Sequence, residues 1–179
     1  SENSSEIDRY VIYNYLEKTW YYGTLARTAW NDRASGSRLF PQAPGTDGAL
    51  YNHENGLDDG SVNPPVAINA FVQSADFDIG DGQQFMLINR VIPDLNFSDS
   101  DAAAPQVTFT MGARNYNGSA AGQGSVNGDV VRSSVISGTD NYTDQVQMRL
   151  RGRQVNLKVE SNTTGVNWRL GAPRLDARP

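Results

Sequence analysis

Two neighbouring segments near the end of the chain alternate apolar and polar residues. Residues 145–151 read QVQMRLR and residues 154–161 read QVNLKVES, so three apolar side chains in each segment point the same way. A period of two is that of a β-strand with one buried face. The sequence therefore predicts two strands, each with one row of side chains in a core and the other row exposed.

Only Gly152 and Arg153 separate these two segments. Such a short connection favours an antiparallel hairpin. The hairpin would crowd four cationic side chains onto one exposed region, which we take as a candidate contact with an acidic patch on an adjacent subunit. The four residues are Arg149, Arg151, Arg153 and Lys158. The same pattern is equally compatible with a solvated strand face.

The fold class predicted for the whole chain is all-β. Residues 49–179 are expected to form an antiparallel β-sandwich or barrel-like domain. In addition to the two strands above, strands are expected at residues 49–54, 68–77, 84–92, 106–114, 130–136 and 166–170. Turn sequences such as Gly80-Asp-Gly82 separate them, and no segment has a helical period. The Gly- and Ser-rich residues 117–128 predict an exposed loop.

Residues 1–48 are predicted to form a β-hairpin followed by a linker. Residues 10–15 and 20–25 are aromatic-rich strands on either side of a polar turn, and the glycines and prolines of residues 31–48 indicate a loop. The hairpin resembles the outer part of a β-propeller blade, which buries its sheet against the next blade. One hairpin cannot bury its aromatic face alone, and the sequence contains no second copy of the pattern.

The charge of the chain is distributed unevenly. Ten acidic residues lie between residues 47 and 101 with Arg90 as the only cation, whereas seven Arg or Lys residues and two acidic residues follow residue 144. This asymmetry suits head-to-tail contact between copies, although plain uneven surface charge explains it equally well. Thirteen of the fifteen cationic residues are Arg, which favours bidentate contacts with carboxylates. The excess of Arg therefore favours a role in interfaces between proteins.

The composition argues against several other classes of protein. With 38% hydrophobic residues the chain can form a core, and without Cys it has no disulfide framework, which fits assembly in a reducing cytoplasm. No apolar run approaches the roughly 20 residues of a membrane-spanning segment. The overall acidity opposes nonspecific affinity for DNA.

The residue types of the chain give little support for catalysis. His53 is the only His and Cys is absent, so catalytic triads that use His and most mixed His/Cys metal sites are excluded. His53 is expected to be an ordinary surface or loop residue. Carboxylate pairs could come from Asp58 and Asp59 or from the run that begins at Asp76, but Asp in such positions usually serves a turn. We therefore expect no catalytic residues and no cofactor.

Two other kinds of binding stay open. The run from Asp76 to Gly82 brings three carboxylates close together, as a calcium loop would, but the twelfth position is Leu87 where an EF-hand has Glu. Exposed aromatic residues would suit a carbohydrate- or receptor-binding β-sandwich. They are Trp20, Tyr21, Tyr22, Trp30 and Tyr116. A carboxylate-based hydrolase of the cell wall is a third and less favoured alternative.

Three stretches of the chain carry a resemblance to a known family. They are residues 9–30 (RYVIYNYLEKTWYYGTLARTAW), residues 57–65 (LDDGSVNPP) and residues 144–179. Together they resemble the C-terminal part of the tail hub, nozzle or tail tube proteins of short-tailed bacteriophages (podoviruses), which continue the DNA channel below the portal and adaptor. Those proteins are longer than 179 residues, so the resemblance implies a piece of a larger protein or a small version of one.

The resemblance also implies a function. It implies a virion structural protein that assembles into a ring of six copies, helps to retain the packaged genome and forms the channel for its ejection. The implied partners are other copies of the chain, the tail adaptor and the tail fibre or needle, with transient, nonspecific passage of DNA. The implied location is the virion tail, assembled in the host cytoplasm.

Overall fold

The computed structural model describes residues 5, 7–33, 39–116, 118, 130–138 and 145–179. These residues form β-strands and connecting turns and contain no helix. All strand pairs are antiparallel, so the all-β antiparallel class predicted from the sequence is confirmed. The chain divides into two compact units, Ser1–Gly56 and Leu57–Pro179, and each is described by itself.

The first unit begins with a two-stranded antiparallel ribbon. Its strands, β1 (Arg9–Asn14) and β2 (Thr19–Thr24), pair in register over their full length. The side-chain oxygen of Asn14 accepts hydrogen bonds from the backbone N–H groups of Leu16 and Glu17, which fixes the turn between the strands. The predicted hairpin is therefore present, and its likeness to a propeller blade stays a prediction.

The rest of the first unit is a second small hairpin with an irregular neighbour. β3 (Gln42–Pro44) pairs with β4 (Leu50–Asn52), and residues 27–31 run beside β3 and exchange backbone hydrogen bonds with it. Gly48, at a φ of 82°, lies in the tight turn between β3 and β4.

The sequence assigned residues 49–54 to the sandwich domain and placed the boundary after residue 48. The strand at residues 50–52 instead folds back on β3 and stays in the first unit, which extends to Gly56. The glycine-containing turn explains this difference, because it keeps the strand next to its predecessor in the sequence.

The second unit is a two-layer sandwich. Its strands are β5 (Asp58–Asp59), β6 (Val66–Ala67), β7 (Ala70–Gln73), β8 (Phe77–Asp78), β9 (Met86–Ile92), β10 (Leu95–Asn96), β11 (Gln106–Arg114), β12 (Val130–Ser137), β13 (Val146–Gly152), β14 (Gln154–Ser161), β15 (Arg169–Leu170) and β16 (Arg174–Arg178). The larger sheet has the order β12-β11-β14-β7, with β8 also paired to β14, and the smaller sheet has the order β13-β9-β16. Two short pairs, β5 with β6 and β10 with β15, lie outside these sheets.

A single hydrophobic core lies between the two sheets. Both sheets contribute fully buried side chains to it: Met86, Ile88, Val91, Val107, Phe109, Met111, Met148, Leu150, Val155 and Val159. At the margin of the core, the Trp168 indole N–H donates a hydrogen bond to the Ser161 hydroxyl at 2.9 Å. The alternating apolar residues of the sequence are therefore the buried residues of the strands. Of the two predicted forms, sandwich and barrel, the structure is consistent with the sandwich.

The predicted hairpin between residues 145–151 and 154–161 is wrong, although both strands exist. β13 pairs with β9 in the smaller sheet, whereas β14 pairs with β11 and β7 in the larger sheet. The chain therefore crosses from one sheet to the other at Gly152 and Arg153. This connection is a sandwich corner, which is as short as a hairpin turn but joins two layers.

Gly152 is buried at this corner and lies close to β11. A Cβ added at Gly152 would lie 2.8 Å from the Cβ of Ala113 and 3.0 Å from the carbonyl oxygen of Arg114. The backbone N–H of Arg153 donates to that same carbonyl at 2.9 Å. Glycine is required because the two backbones approach too closely for any side chain.

Other strand predictions differ from the structure mainly at their ends. Residues 106–114 and 154–161 are strands with the predicted bounds, while residues 68–77 form two strands, β7 and β8. The break occurs at Ser74, whose hydroxyl and backbone N–H both bond to Leu157. The strand predicted at residues 166–170 is reduced to the two residues of β15. The predicted loop at residues 117–128 lies outside the described residues apart from Gly118.

Candidate interaction surfaces

The outward face of the smaller sheet carries arginines from all three of its strands. β9 lies in the middle, so that Leu87 lies opposite both Arg151 of β13 and Arg178 of β16. Arg174 lies opposite Ile92 in the same way. We call this surface the arginine face, and it consists of Arg90, Arg149, Arg151, Arg174 and Arg178.

One carboxylate, Asp176, lies among the outward-facing residues of these three strands. Its oxygens are 3.3 Å from the Nε of Arg90 and 3.4 Å from the Nε of Arg178. Arg90 also donates from Nη1 to the side-chain oxygen of Gln145 at 2.6 Å. One carboxylate cannot neutralise five guanidinium groups, so the arginine face is net cationic.

Arg149 occupies a β-bulge on this face. The register between β13 and β9 shifts between Gln147 and Leu150, and Arg149 between them has a φ of 45°. A left-handed conformation costs a residue with a Cβ roughly 1–2 kcal/mol. Bulges of this kind redirect a side chain and are frequent beside functional sites. The strained residue is one of the four that the sequence singled out.

Arg153 borders the arginine face at the sandwich corner. The guanidinium carbons of Arg151 and Arg153 lie 4.2 and 5.1 Å from the centroid of the Phe85 ring. Both contacts are within the range of cation–π attraction. The Nε of Arg153 is buried, with no hydrogen-bond partner among the described residues. Phe85 therefore holds the two arginines side by side.

Lys158 does not belong to this surface. It lies on β14, facing outward from the larger sheet, where its ammonium group pairs with Glu160 and lies 5.3 Å from the Phe71 ring. The sequence grouped Lys158 with the three arginines through the predicted hairpin, and the crossing between sheets separates them. The arginines that sequence reasoning left out are Arg90, Arg174 and Arg178. Alternation could have shown that they point outward, but not which strands pair.

The acidic residues between residues 47 and 101 mostly have partners within the second unit. Both carboxylate oxygens of Asp58 lie 2.9 Å from the backbone nitrogen of Gly165, which donates to them. Asp94 accepts a hydrogen bond from the backbone N–H of Ala172 at 3.1 Å. These contacts fasten loops that are distant in the sequence. A structural role is thus visible for Asp58, which the sequence offered as an acid–base candidate, and for Asp94.

The Asp-rich run after β7 is tied to the larger sheet. Asp76 forms an ion pair with Arg114 and accepts a hydrogen bond from the side-chain amide of Asn156 at 2.9 Å. Asp78 lies 3.4 Å from the side-chain nitrogen of Gln154. Within the described part of the chain, no three His, Asp or Glu side chains are placed to hold a metal ion.

Both faces of the β1–β2 ribbon carry exposed apolar side chains. Ribbon face A carries Val11, Tyr13, Trp20 and Tyr22, and ribbon face B carries Tyr10, Ile12 and Tyr21. The rings of Tyr13 and Trp20 lie opposite each other with centroids 4.5 Å apart. The ring of Tyr10 lies across Gly23, where a Cβ would be 2.6 Å from its hydroxyl oxygen. Face B is therefore partly covered by its own tyrosine, and face A is open.

A polar cluster in the first unit is centred on Arg27. Its guanidinium carbon lies 4.0 Å from the Tyr51 ring centroid, and its Nε donates to Nε2 of His53 at 3.1 Å. Trp30 contacts the other side of the cluster, with its ring 4.9 Å from that of His53. Because Nε2 accepts a hydrogen bond, the imidazole is neutral with its proton on Nδ1.

The environment of His53 favours this neutral form. Partial burial, and then the charge of Arg27, hold the pKa of His53 below its usual value, while Glu54 acts in the opposite direction. His53 was expected to be an ordinary surface or loop residue. It does lie in the loop after β4, where it is half-buried and is the hydrogen-bond acceptor for an arginine.

No protein-family model matches the chain, and no curated protein matches it either. None of the described segments forms a helix long and apolar enough to span a membrane.

Proposed function

We propose that this protein is a structural component of a short-tailed bacteriophage tail that works by assembly. In this proposal it forms a ring of six copies in the hub or nozzle, helps to retain the packaged genome and forms the channel for DNA ejection. Its other partners are the adaptor and the tail fibre or needle. It is assembled in the host cytoplasm and resides in the virion tail.

The arginine face is the observation that carries self-assembly. Five guanidinium groups lie on one sheet face with a single carboxylate, and the half-exposed Leu87 and Ile92 lie between them. Arginine mixed with apolar side chains is typical of the interfaces between proteins. The chain as a whole has a net charge of −5, so other copies offer acidic surface as a counterpart. A contact between two different surfaces is heterologous, which is the kind of contact that closes a ring.

The histidine and several of the carboxylates support a role without catalysis. His53, the only histidine, is engaged by Arg27, and Asp76 is paired with Arg114. The carboxylates Asp58 and Asp94 hold loops through backbone hydrogen bonds. These assignments leave assembly as the activity that the geometry supports best.

The experiment that tests the proposal is the mass of the native assembly, measured by light scattering at low and high salt. We expect an assembly larger than a dimer that loosens as salt rises, because salt screens contacts between charged surfaces. The double variant Arg149→Glu/Arg151→Glu should weaken assembly and leave the monomer fold intact. The control is Arg132→Glu/Arg169→Glu, which changes the net charge equally at exposed sites away from the arginine face. Normal assemblies from the first variant would refute the role of this face.

A second candidate function is binding of carbohydrate. Trp20 and Tyr22 lie on the same face of the ribbon and are among the most exposed aromatic residues of the described chain. Flat, exposed aromatic rings are a common platform for sugars as well as for proteins. A monomer at all salt concentrations that is retained on insoluble polysaccharide would favour this function over the first.

A further inference from the structure

We infer that ribbon face A is a docking surface for a second copy of this chain, with the two ribbons stacked face to face. The inference rests on the proposed role as a self-assembling protein, but it concerns a different surface from the arginine face. It assigns a partner to the β1–β2 ribbon, which has no role in the ring proposal above.

The ribbon needs a cover because its own pairing is insufficient. A two-stranded hairpin is marginally stable in water unless it packs on something. On ribbon face A, the exposed fraction is 68% for Val11, 67% for Trp20 and 86% for Tyr22. Residues of this kind are normally buried when a ribbon is part of a larger sheet or core.

Face A is a better docking surface than face B. Tyr10 folds over Gly23 and leaves face B with less exposed aromatic surface. The exposed fractions on face B are 39% for Tyr10, 53% for Ile12 and 51% for Tyr21. A partner would therefore gain more by covering face A.

The charge of the ribbon argues for an apolar partner. The twelve residues of β1 and β2 contain one charged side chain, Arg9, at the end of the ribbon. A partner selected by charge would find nothing to pair with at the centre of face A, where Val11 lies opposite Tyr22. An identical face offers the same apolar residues in return, which is the condition for an isologous contact.

The area is sufficient for a specific contact of this kind. An aromatic side chain contributes about 150–250 Å² when buried, so the exposed fractions correspond to roughly 400–500 Å² on one face. Two such faces would bury roughly 800–1,000 Å² together, and the upper end of this range reaches the lower limit for a specific interface. A single face also lies within the range of the largest apolar patches on monomers, about 300–600 Å².

The test uses the absence of Cys from the chain, which makes a single introduced Cys a specific probe. Val11 and Ile12 belong to the middle cross-strand pairs of face A and face B, and both are exposed. Stacked sheets lie about 10 Å apart, so a bis-maleimide that spans about 8–10 Å is the appropriate cross-linker. We expect Val11→Cys to give at least several-fold more cross-linked dimer than Ile12→Cys in the full chain. Equal yields from the two variants would overturn the inference.

The second measurement is the mass by sedimentation in about 1 M NaCl, where the Debye length of about 3 Å removes most contacts between exposed charges. We expect a dimer that persists for the wild type and for the face B variant Ile12→Thr/Tyr21→Thr. The face A variant Trp20→Thr/Tyr22→Thr should be a monomer whose second unit unfolds in urea as in the wild type, because the changes lie in the ribbon of the first unit. A wild-type monomer in this salt would overturn the inference, and its retention on chitin or cellulose would assign face A to a glycan.

The two proposals fail in different ways. A salt-sensitive assembly that does not respond to changes at Trp20 and Tyr22 would leave the ring proposal in place and remove the ribbon contact. A salt-resistant dimer that forms nothing larger, and that does not respond to Arg149→Glu/Arg151→Glu, would support the ribbon contact and remove the ring proposal.

Discussion

Replacing Gly152 with Ala tests the crossing between the two sheets directly. The added Cβ would lie 2.8 Å from the Cβ of Ala113 and 3.0 Å from the carbonyl oxygen of Arg114. Overpacking of this kind typically costs 1–3 kcal/mol, and one of the neighbours here is backbone, which cannot rotate away. We therefore expect Gly152→Ala to lower the free energy of unfolding of the second unit by about 2–3 kcal/mol. That is a large part of the roughly 5–15 kcal/mol that stabilises a typical domain.

The assay is urea unfolding followed by the fluorescence of Trp168, in a background where the other two tryptophans are replaced by Phe. The matched control is Gly60→Ala, since a Cβ at Gly60 meets nothing within 4 Å and its φ is not in the left-handed region. A change within about 0.5 kcal/mol is expected for this control. If Gly152→Ala were as stable as the control, the corner would not press on β11. An exposed hairpin turn, as the sequence first suggested, would then be the better description.

Three further predictions follow from single side chains. Phe109→Ala should destabilise the second unit by about 3–5 kcal/mol in the same urea assay, because this ring is fully buried in the core. A loss under 1 kcal/mol would contradict the packing described. Arg149→Gly should leave the stability unchanged or raise it by about 1 kcal/mol, because it relieves the left-handed strain at a φ of 45°, and a marked loss would show that the Arg149 side chain supports the fold. The His53 imidazole, the only one in the chain, should titrate by NMR below its ordinary pKa of about 6.5. As pH falls, the unfolded chain therefore binds a proton at His53 before the folded chain does. The contribution of neutral His53 to the stability of the first unit is thus fully present above about pH 6.5 and decreases as the pH falls below that value. His53→Gln should remove this pH dependence, and a pKa of His53 above 6.5 would refute the hydrogen bond from Arg27.

Most long strands of the sandwich could be predicted from the sequence, but β16 was missed and the pairing of the strands could not be predicted. Alternation identified β11 and β14 with correct bounds, because each has one row in the core and one row outside. The connection through Gly152 was ambiguous, since two residues can either turn a hairpin or carry the chain to a second layer. The choice depends on the contact with Ala113 and Arg114, about 40 positions away in the sequence, and no local pattern records that contact.

The arginine face shows the same limit. Arg149 and Arg151 were found because they stand in a strand with a clear period, but Arg90 and Arg178 reach the face only through the pairing of β13 and β16 with β9. Lys158 was assigned to the face because the hairpin was assumed. In the first unit, the sequence indicated the aromatic strands, but the greater exposure of one ribbon face depends on how Tyr10 lies over its neighbour.

The order of the smaller sheet has a consequence for folding during synthesis. β9, its central strand, leaves the ribosome long before β13 and β16, the two strands that cover its edges, and β16 ends at Arg178. Until β13 and β16 have been synthesised, both edges of the apolar strand β9 are unpaired in the nascent chain. Strands with unpaired edges are prone to aggregate. Because these pairings are far apart in the sequence, folding should also be slow, on the scale of milliseconds to seconds. Yield in the cell should accordingly depend on temperature and chaperone supply more than the stability of the finished fold would suggest.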